Sequence, residues 1–307
     1  MINESANNTP QSEPTFDLPA EMFRSGTKPE DATFEIENVA LGGILYEPIQ
    51  FTEVDGWAIY EGDIILGRAD EVRNDPQPRG LVIKDDTYRW EDGVMPYVIG
   101  DESVRARVET AIQHWQEKTP IRFRVRTAAD PDYVIFKGQG GCSSMIGRQG
   151  DGEQNIFLGS GCSAGSAIHE IGHALGLFHE QCRGDRDSFI KVVEANVDPN
   201  YKHNFAKHVT DASMVGGYDF GSIMHYPATA FSINGQPTIV AKDGQPIGQR
   251  NGLSKGDVEA IKLIYPHLDW SKLEAVADAG GASANGDEIA AANASPAGSG
   301  ETVGGDV

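Results

Sequence analysis

Apolar residues recur at helical spacing in three places along the chain. After Asp101 come Val104, Val108, Ala111, Ile112 and Trp115, a stripe that predicts an amphipathic helix capped by Asp101 and closed by Pro120. A second helix is predicted from near Ala164 to about Leu177, and a last one from Ser254, with Val258, Ile261 and Tyr265 on one face. Elsewhere the pattern is that of strands. Tyr88–Ile99 is aromatic and β-branched, and Ile121–Arg126 alternates apolar residues with Arg as a half-buried strand does. Tyr133–Phe136 is a short apolar run that reads as a buried strand, and Gln154–Leu158 reads as another strand. Strands mixed with two long helices, then mostly irregular chain, predict an α+β or α/β lobe followed by a loop-rich one.

Charge divides the chain further. The 307 residues carry a net charge of −21, which disfavours nucleic acid or an anionic membrane as the main partner. Residues 1–79 have a net charge of −11, residues 271–307 of −5, and residues 80–270 of only −5. The middle therefore reads as a balanced globular segment between an acidic front segment and a Gly/Ala/Asn/Ser tail expected to be disordered. Asp70–Pro78 reads as an exposed linker. No apolar run approaches a membrane span, and the first residues lack the basic and apolar regions of a secretory signal.

The chemistry lies on the second helix, in His169-Glu170-Ile171-Gly172-His173-Ala174-Leu175-Gly176-Leu177-Phe178-His179. Histidines at i and i+4 point the same way and can share one metal. Gly176 can end the helix in the left-handed conformation and turn the chain so that His179 becomes a third ligand. Three His ligands leave a fourth zinc position open, the catalytic rather than the structural arrangement. Glu170, one step round the helix, is placed to act as general base toward the attacking water. Five such fixed positions arise by chance on the order of 10⁻⁴ to 10⁻⁵ times per chain of this composition. His114, His203, His208, His225 and His267 have no such spacing and read as surface or core residues.

With Glu180 after the third His, HEIGHALGLFHE resembles the motif of the astacins, a family of metzincin zinc endopeptidases. Ser222-Ile223-Met224-His225-Tyr226 is similar to the family's Met-turn. Further matching blocks include Tyr88-Arg89-Trp90 and Gly141-Cys142-Ser143-Ser144. The resemblance covers about residues 80–268. It implies an α+β, two-lobe zinc protease: a twisted sheet and two long helices in the N-terminal lobe, then a loop-rich lobe with the Met-turn and a final helix. It implies one Zn²⁺ per chain on His169, His173 and His179, Met224 as an apolar floor, and Tyr226 as a switchable ligand that stabilises the tetrahedral intermediate. It pairs Cys142 with Cys162. Cys182 is left over, as a buried free thiol or a reactive one.

The front segment contains Tyr60-Glu61-Gly62-Asp63-Ile64, similar to the astacin pro-segment motif. The resemblance implies that Asp63 ligates zinc in a latent zymogen and that the segment crosses the cleft opposite to a substrate. Glu61 is read as a neighbour whose loss leaves the block intact. Residues 1–79 are thus expected to be an inhibitory pro-segment, 80–270 the catalytic domain and 271–307 the tail. An activating protease is expected to cut near Arg79–Gly80, freeing an N-terminus that pairs with Glu180. Substrates would be proteins or peptides lying antiparallel to the edge strand near Cys142–Ile146, with Arg250 favouring an acidic side chain just after the cut. A monomer in an oxidising exterior is expected. The rival reading is a silent zinc-binding module of the same fold, disfavoured because Glu170 and all three histidines are present.

Overall fold

The computed structural model describes residues 33–36, 40–41, 44–45, 49–74, 88–207 and 216–271. The chain divides into two units, 1–269 and 270–307. Only Trp270 and Ser271 of the second are described. The expected cut at Arg79–Gly80, His208 and nearly all of the tail lie outside the described residues.

The fold is α+β. Its strands are β1 (Thr33–Ile36), β2 (Ala40–Leu41), β3 (Ile44–Leu45), β4 (Ile49–Val54), β5 (Trp57–Tyr60), β6 (Ile64–Arg68), β7 (Val94–Ile99), β8 (Arg122–Val125), β9 (Tyr133–Lys137), β10 (Cys142–Ser144), β11 (Glu153–Leu158), β12 (Ile190–Val192) and β13 (Ile239–Ala241). Its α-helices are α1 (Ala69–Asn74), α2 (Arg105–Lys118), α3 (Ala164–Leu175) and α4 (Lys255–Ile264). Among the described residues, nine strands form one mixed sheet in the order β1-β4-β5-β6-β10-β11-β9-β7-β8, while β2–β3 and β12–β13 are separate pairs.

Four of those nine strands come from the acidic front segment, where no strands were expected. β1, β4, β5 and β6 run antiparallel, and β6 then joins β10 in parallel at Ile64–Ser144. Val54-Asp55-Gly56-Trp57 is the β4–β5 turn, with φ of 51° at Asp55 and 77° at Gly56, the left-handed pair that a tight hairpin requires. Side chains of β5 and β6 alternate between two cores. Tyr60, Ile64 and Leu66 pack with Ile146 and Phe178; Ile59 and Ile65 pack with Phe157 and Met145. Each such aliphatic side chain contributes roughly 1.5–3 kcal/mol on full burial. The front segment is thereby held on both faces of its own sheet.

Other departures from the sequence pattern are local. The expected strand at Tyr88–Ile99 begins only at Val94, because Asp92 and Gly93 take positive φ in a 3-10 turn and Trp90 is buried. β8 is one edge of the sheet: Ile121 is buried and Phe123 half-buried between exposed arginines, as the alternation predicts, but Val125 is 68% exposed. β9 is not fully buried but alternates, with Val134 and Phe136 inward. Asp70–Asn74, read as linker, is helical. The α2 stripe is buried as expected, after a short 3-10 turn at Glu102–Val104 that Asp101 caps.

Helix α3, which carries the site, is fixed at both ends. Ser163 caps it through a reciprocal pair with Ser166, and Gly176 ends it at φ 112°, a conformation that costs glycine little. Indole N–H groups anchor its backbone: Trp115 donates to the Ile168 carbonyl at 3.1 Å and Trp90 to the Ala174 carbonyl at 2.8 Å. The Tyr265 hydroxyl donates to the Leu175 carbonyl at 3.3 Å. The last two donors reach carbonyls in the final turn, which have no partner within the helix.

Candidate metal centre

His169, His173 and His179 converge with Asp63, and one ligand atom from each lies within 4.8 Å of all the others. All four side chains are buried. The turn after Gly176 does bring His179 alongside the two helical histidines.

The outer nitrogens settle the tautomers. Nδ1–H of His169 donates to the Ile223 carbonyl at 2.8 Å, and Nδ1–H of His173 to the Leu177 carbonyl at 2.8 Å. Carbonyls only accept, so the protons sit on Nδ1 and the Nε2 lone pairs point inward. Nδ1–H of His179 donates to the Glu61 carboxylate at 2.9 Å. Burial keeps His169 and His173 below the ordinary imidazole range. Burial also lowers His179, but Asp63 and Glu61 outweigh it and raise the group to about 9.

The inward atoms call for a cation. Nε2 of His169 and His173 are 3.1 Å apart, a distance at which two bare lone pairs repel. Asp63 places Oδ2 at 3.3 Å from Nε2 of His169, and Oδ1 at 3.5 Å from His173 and 3.2 Å from His179. Among the described residues, neither Oδ1 of Asp63 nor Nε2 of His179 has a hydrogen-bond partner. Two buried carboxylates, Asp63 and Glu61, also need positive charge nearby. Three imidazole nitrogens and one carboxylate oxygen are a donor set that suits zinc. The residues fit the metal.

Around this centre, Glu170 is 1% exposed on α3. Met224 packs against the helix, its sulfur 2.8 Å from where a Cβ at Gly172 would stand. Tyr226 is buried, its ring 4.6 Å from that of His179, and its hydroxyl donates to the Glu61 carbonyl. The turn Ser222–Tyr226 is held by two residues the sequence did not single out. Asp257, in the first turn of α4, accepts from the Ser222 hydroxyl at 2.7 Å and the Ile223 N–H at 2.9 Å. Gln181 accepts from the Tyr226 N–H at 2.9 Å.

Some expectations change. Glu61 is not a bystander: it is fully buried, with φ 45°, and both its carboxylate and its carbonyl touch the centre. A non-glycine residue held there costs roughly 1–3 kcal/mol, so its contacts must compensate. Arg250 donates from Nη1 to the carbonyls of His225 and Gln249 at 3.0 and 2.9 Å, and burial lowers it to about 10. That nitrogen is engaged in bracing the Met-turn. Cys182 is a free, fully buried thiol, as one of its two readings had it. Cys142 and Cys162 form the disulfide. Glu180 accepts from the Asp219 N–H at 2.7 Å, and burial pushes it up to about 7. Among the remaining histidines, His225 is buried between the Tyr226 carbonyl and the Tyr218 hydroxyl, and His203 faces Thr52 of the front segment.

A mixed sheet over a helix carrying two of three convergent histidines, the third delivered by the turn that follows it, with a methionine turn beneath them, defines a metal centre of the metzincin type. The model of the Astacin peptidase family matches residues 82–266, and the chain belongs to that family. Blastula protease 10 of Paracentrotus lividus is 41% identical over 196 residues, covering 59% of this chain and 32% of that protein. Zinc metalloproteinase nas-15 of Caenorhabditis elegans is 43% identical over 190 residues, covering 60% and 33%. The chain thus spans about a third of the length of these curated relatives. High choriolytic enzyme 1, a hatching-enzyme zinc protease from Oryzias latipes, superposes with a TM-score of 0.54 at 38% identity, covering 58% of this chain and 92% of that one. The family uses one zinc, and the three histidines are the residues here that would hold it.

Proposed function

We propose that this chain is the latent precursor of an extracellular zinc endopeptidase, with Asp63 as its internal block. The observation that carries the reading is the Asp63 carboxylate within 3.5 Å of all three Nε2 atoms, delivered by a strand parallel to β10. Parallel pairing supports latency. A substrate is expected antiparallel to this edge, so the segment's peptide bonds run the wrong way for attack. Ser144 N–H already donates to the Asp63 carbonyl at 2.9 Å, which occupies the edge a substrate needs.

Zinc, when bound, polarises a peptide carbonyl and acidifies water. Once the front segment is cut near Arg79–Gly80 and leaves, Glu170 takes a proton from the attacking water and delivers it to the departing amine. Tyr226, freed from the Glu61 carbonyl, swings to hydrogen-bond the developing oxyanion. The new N-terminal ammonium pairs with Glu180, whose carboxyl burial pushes up to about 7 even with Arg183 at 3.6 Å. Substrates are proteins or peptides, and the working form is a monomer.

The test is casein or gelatin digestion by the full chain before and after limited trypsin, with and without a zinc chelator. Activity that appears on trypsin treatment and vanishes with chelator is the expected result; a digest that stays silent throughout contradicts the reading. Asp63→Ala is expected to make the uncut chain leaky.

A further inference from the structure

We propose that Glu61 is a second latch, a carboxylate that grips the third histidine from behind while Asp63 occupies its front. The inference rests on the latent-precursor reading and adds a residue to it. Both carboxylates come from one hairpin tip, Glu61-Gly62-Asp63, between the paired residues Tyr60 and Ile64. Glu61 Oε2 lies 2.9 Å from Nδ1 of His179, and Asp63 Oδ1 lies 3.2 Å from Nε2 of the same ring. One imidazole is thus bracketed by two acids two residues apart.

Glu61 has a built seat. Its side chain is fully buried, its carboxylate accepts from His179 Nδ1–H, and the Tyr226 hydroxyl donates to its carbonyl. The backbone argues the same way. Glu61 and Gly62 both hold positive φ, at 45° and 78°, and a turn of this kind favours Gly, Asn or Asp in place of Glu. A cradle that secures the carboxylate accounts for a Glu at that position.

His169 and His173 differ from His179 in one respect. Their outer nitrogens donate to Ile223 and Leu177 carbonyls, inside the region the family model spans. The acceptor for His179 comes from the front segment and leaves with it. A carboxylate on the outer N–H strengthens an imidazole as a metal ligand and fixes its ring. The latent centre therefore holds metal more firmly than the mature one, and His179 exchanges an anionic partner for solvent or substrate on activation.

The experiment uses the full-length zinc-loaded chain carrying Glu61→Gln, Glu61→Ala or Asp63→Asn, with Glu71→Gln as an exposed acidic control on the same segment. Peptidase activity of the uncut chain is measured, together with the imidazole N–H proton spectrum of ¹⁵N-histidine-labelled protein. Glu61→Gln is expected to raise uncut activity at least tenfold and to move a far-downfield Nδ1–H resonance upfield, while Glu71→Gln does neither. After complete removal of the segment, wild type and Glu61→Gln should have equal kcat/KM, which excludes a folding defect. A Glu61→Gln chain as silent as wild type, with the resonance unmoved, overturns the proposal. If mature wild type and the Asp63→Asn chain are both inactive, the peptidase reading fails instead, and the resonance alone decides the contact of Glu61.

Discussion

Removing the Asp257 carboxylate should damage the metal centre without touching any metal ligand. Asp257 accepts from the Ser222 hydroxyl through Oδ1, and from the Ile223 and Ser254 N–H groups through Oδ2 at 2.9 and 2.8 Å. Ile223 is completely buried, and its carbonyl fixes His169 Nδ1. Asp257→Ala strands the two N–H donors, at about 1–3 kcal/mol each. Part of that is offset because burial already raises the Asp257 carboxyl, so ionising it in place is costly. A net loss of about 2–3 kcal/mol is expected, which lowers Tm by about 5–10 °C for a domain of this size. Zinc affinity should fall roughly 10–100-fold, because the partner that orients His169 is displaced. Asp257→Asn separates geometry from charge: its amide oxygen can still accept from both N–H groups while its NH₂ faces the Ser222 oxygen. The Asn variant should stay within about 1 kcal/mol of wild type, since neither N–H donor is stranded. Thermal melts and zinc competition with a chromophoric chelator measure both quantities. An Ala variant with unchanged zinc affinity, or an Asn variant as damaged as Ala, would refute the reasoning.

Other outcomes follow from the same geometry. Glu170→Gln should retain zinc and fold but lose about 10²–10⁴-fold in kcat; activity of the trypsin-treated variant within tenfold of wild type sinks its role as base. His203 and His225 are each held down to about 4, chiefly by burial. Relative to an unfolded value near 6.5, stability is unaffected above that pH and falls as pH drops from 6.5 toward 4, where only the unfolded chain protonates. The loss is at most about 3 kcal/mol for either group, and denaturant melts across this window should show His203→Gln flattening the decline. Joint replacement of Cys142 and Cys162 by Ala opens a loop with a sequence separation of 20 and should cost about 3 kcal/mol in an unfolding titration.

The parts of this molecule that were legible in sequence are those set by short-range periodicity. The stripe of α2, the histidine spacing of α3 and the turn at Gly176 depend on residues within a few turns of one another, so three ligands could be read directly from spacing. The nine-stranded sheet could not, because its order joins β6 to β10, distant in sequence, through the pair Ile64–Ser144. Val54-Asp55-Gly56-Trp57 carries a hairpin signal between apolar runs, and that signal marks β4 and β5. Trp90 falls outside the strand predicted for it because its indole serves α3, a demand no local pattern records. Asp257 resembled an ordinary helix N-terminal acid, and its second task at Ile223 is visible only in three dimensions. Glu61 was hidden for a different reason. In an acidic segment, composition makes any one carboxylate look like solvated charge.

The most direct test of the account is a zinc-edge anomalous diffraction map of the uncut full-length chain. One zinc peak is expected, bound by Nε2 of His169, His173 and His179 at about 2.0–2.1 Å and by an Asp63 oxygen at about 2.0–2.2 Å. A map with zinc elsewhere, or with water on the zinc and Asp63 beyond bonding distance, would contradict it.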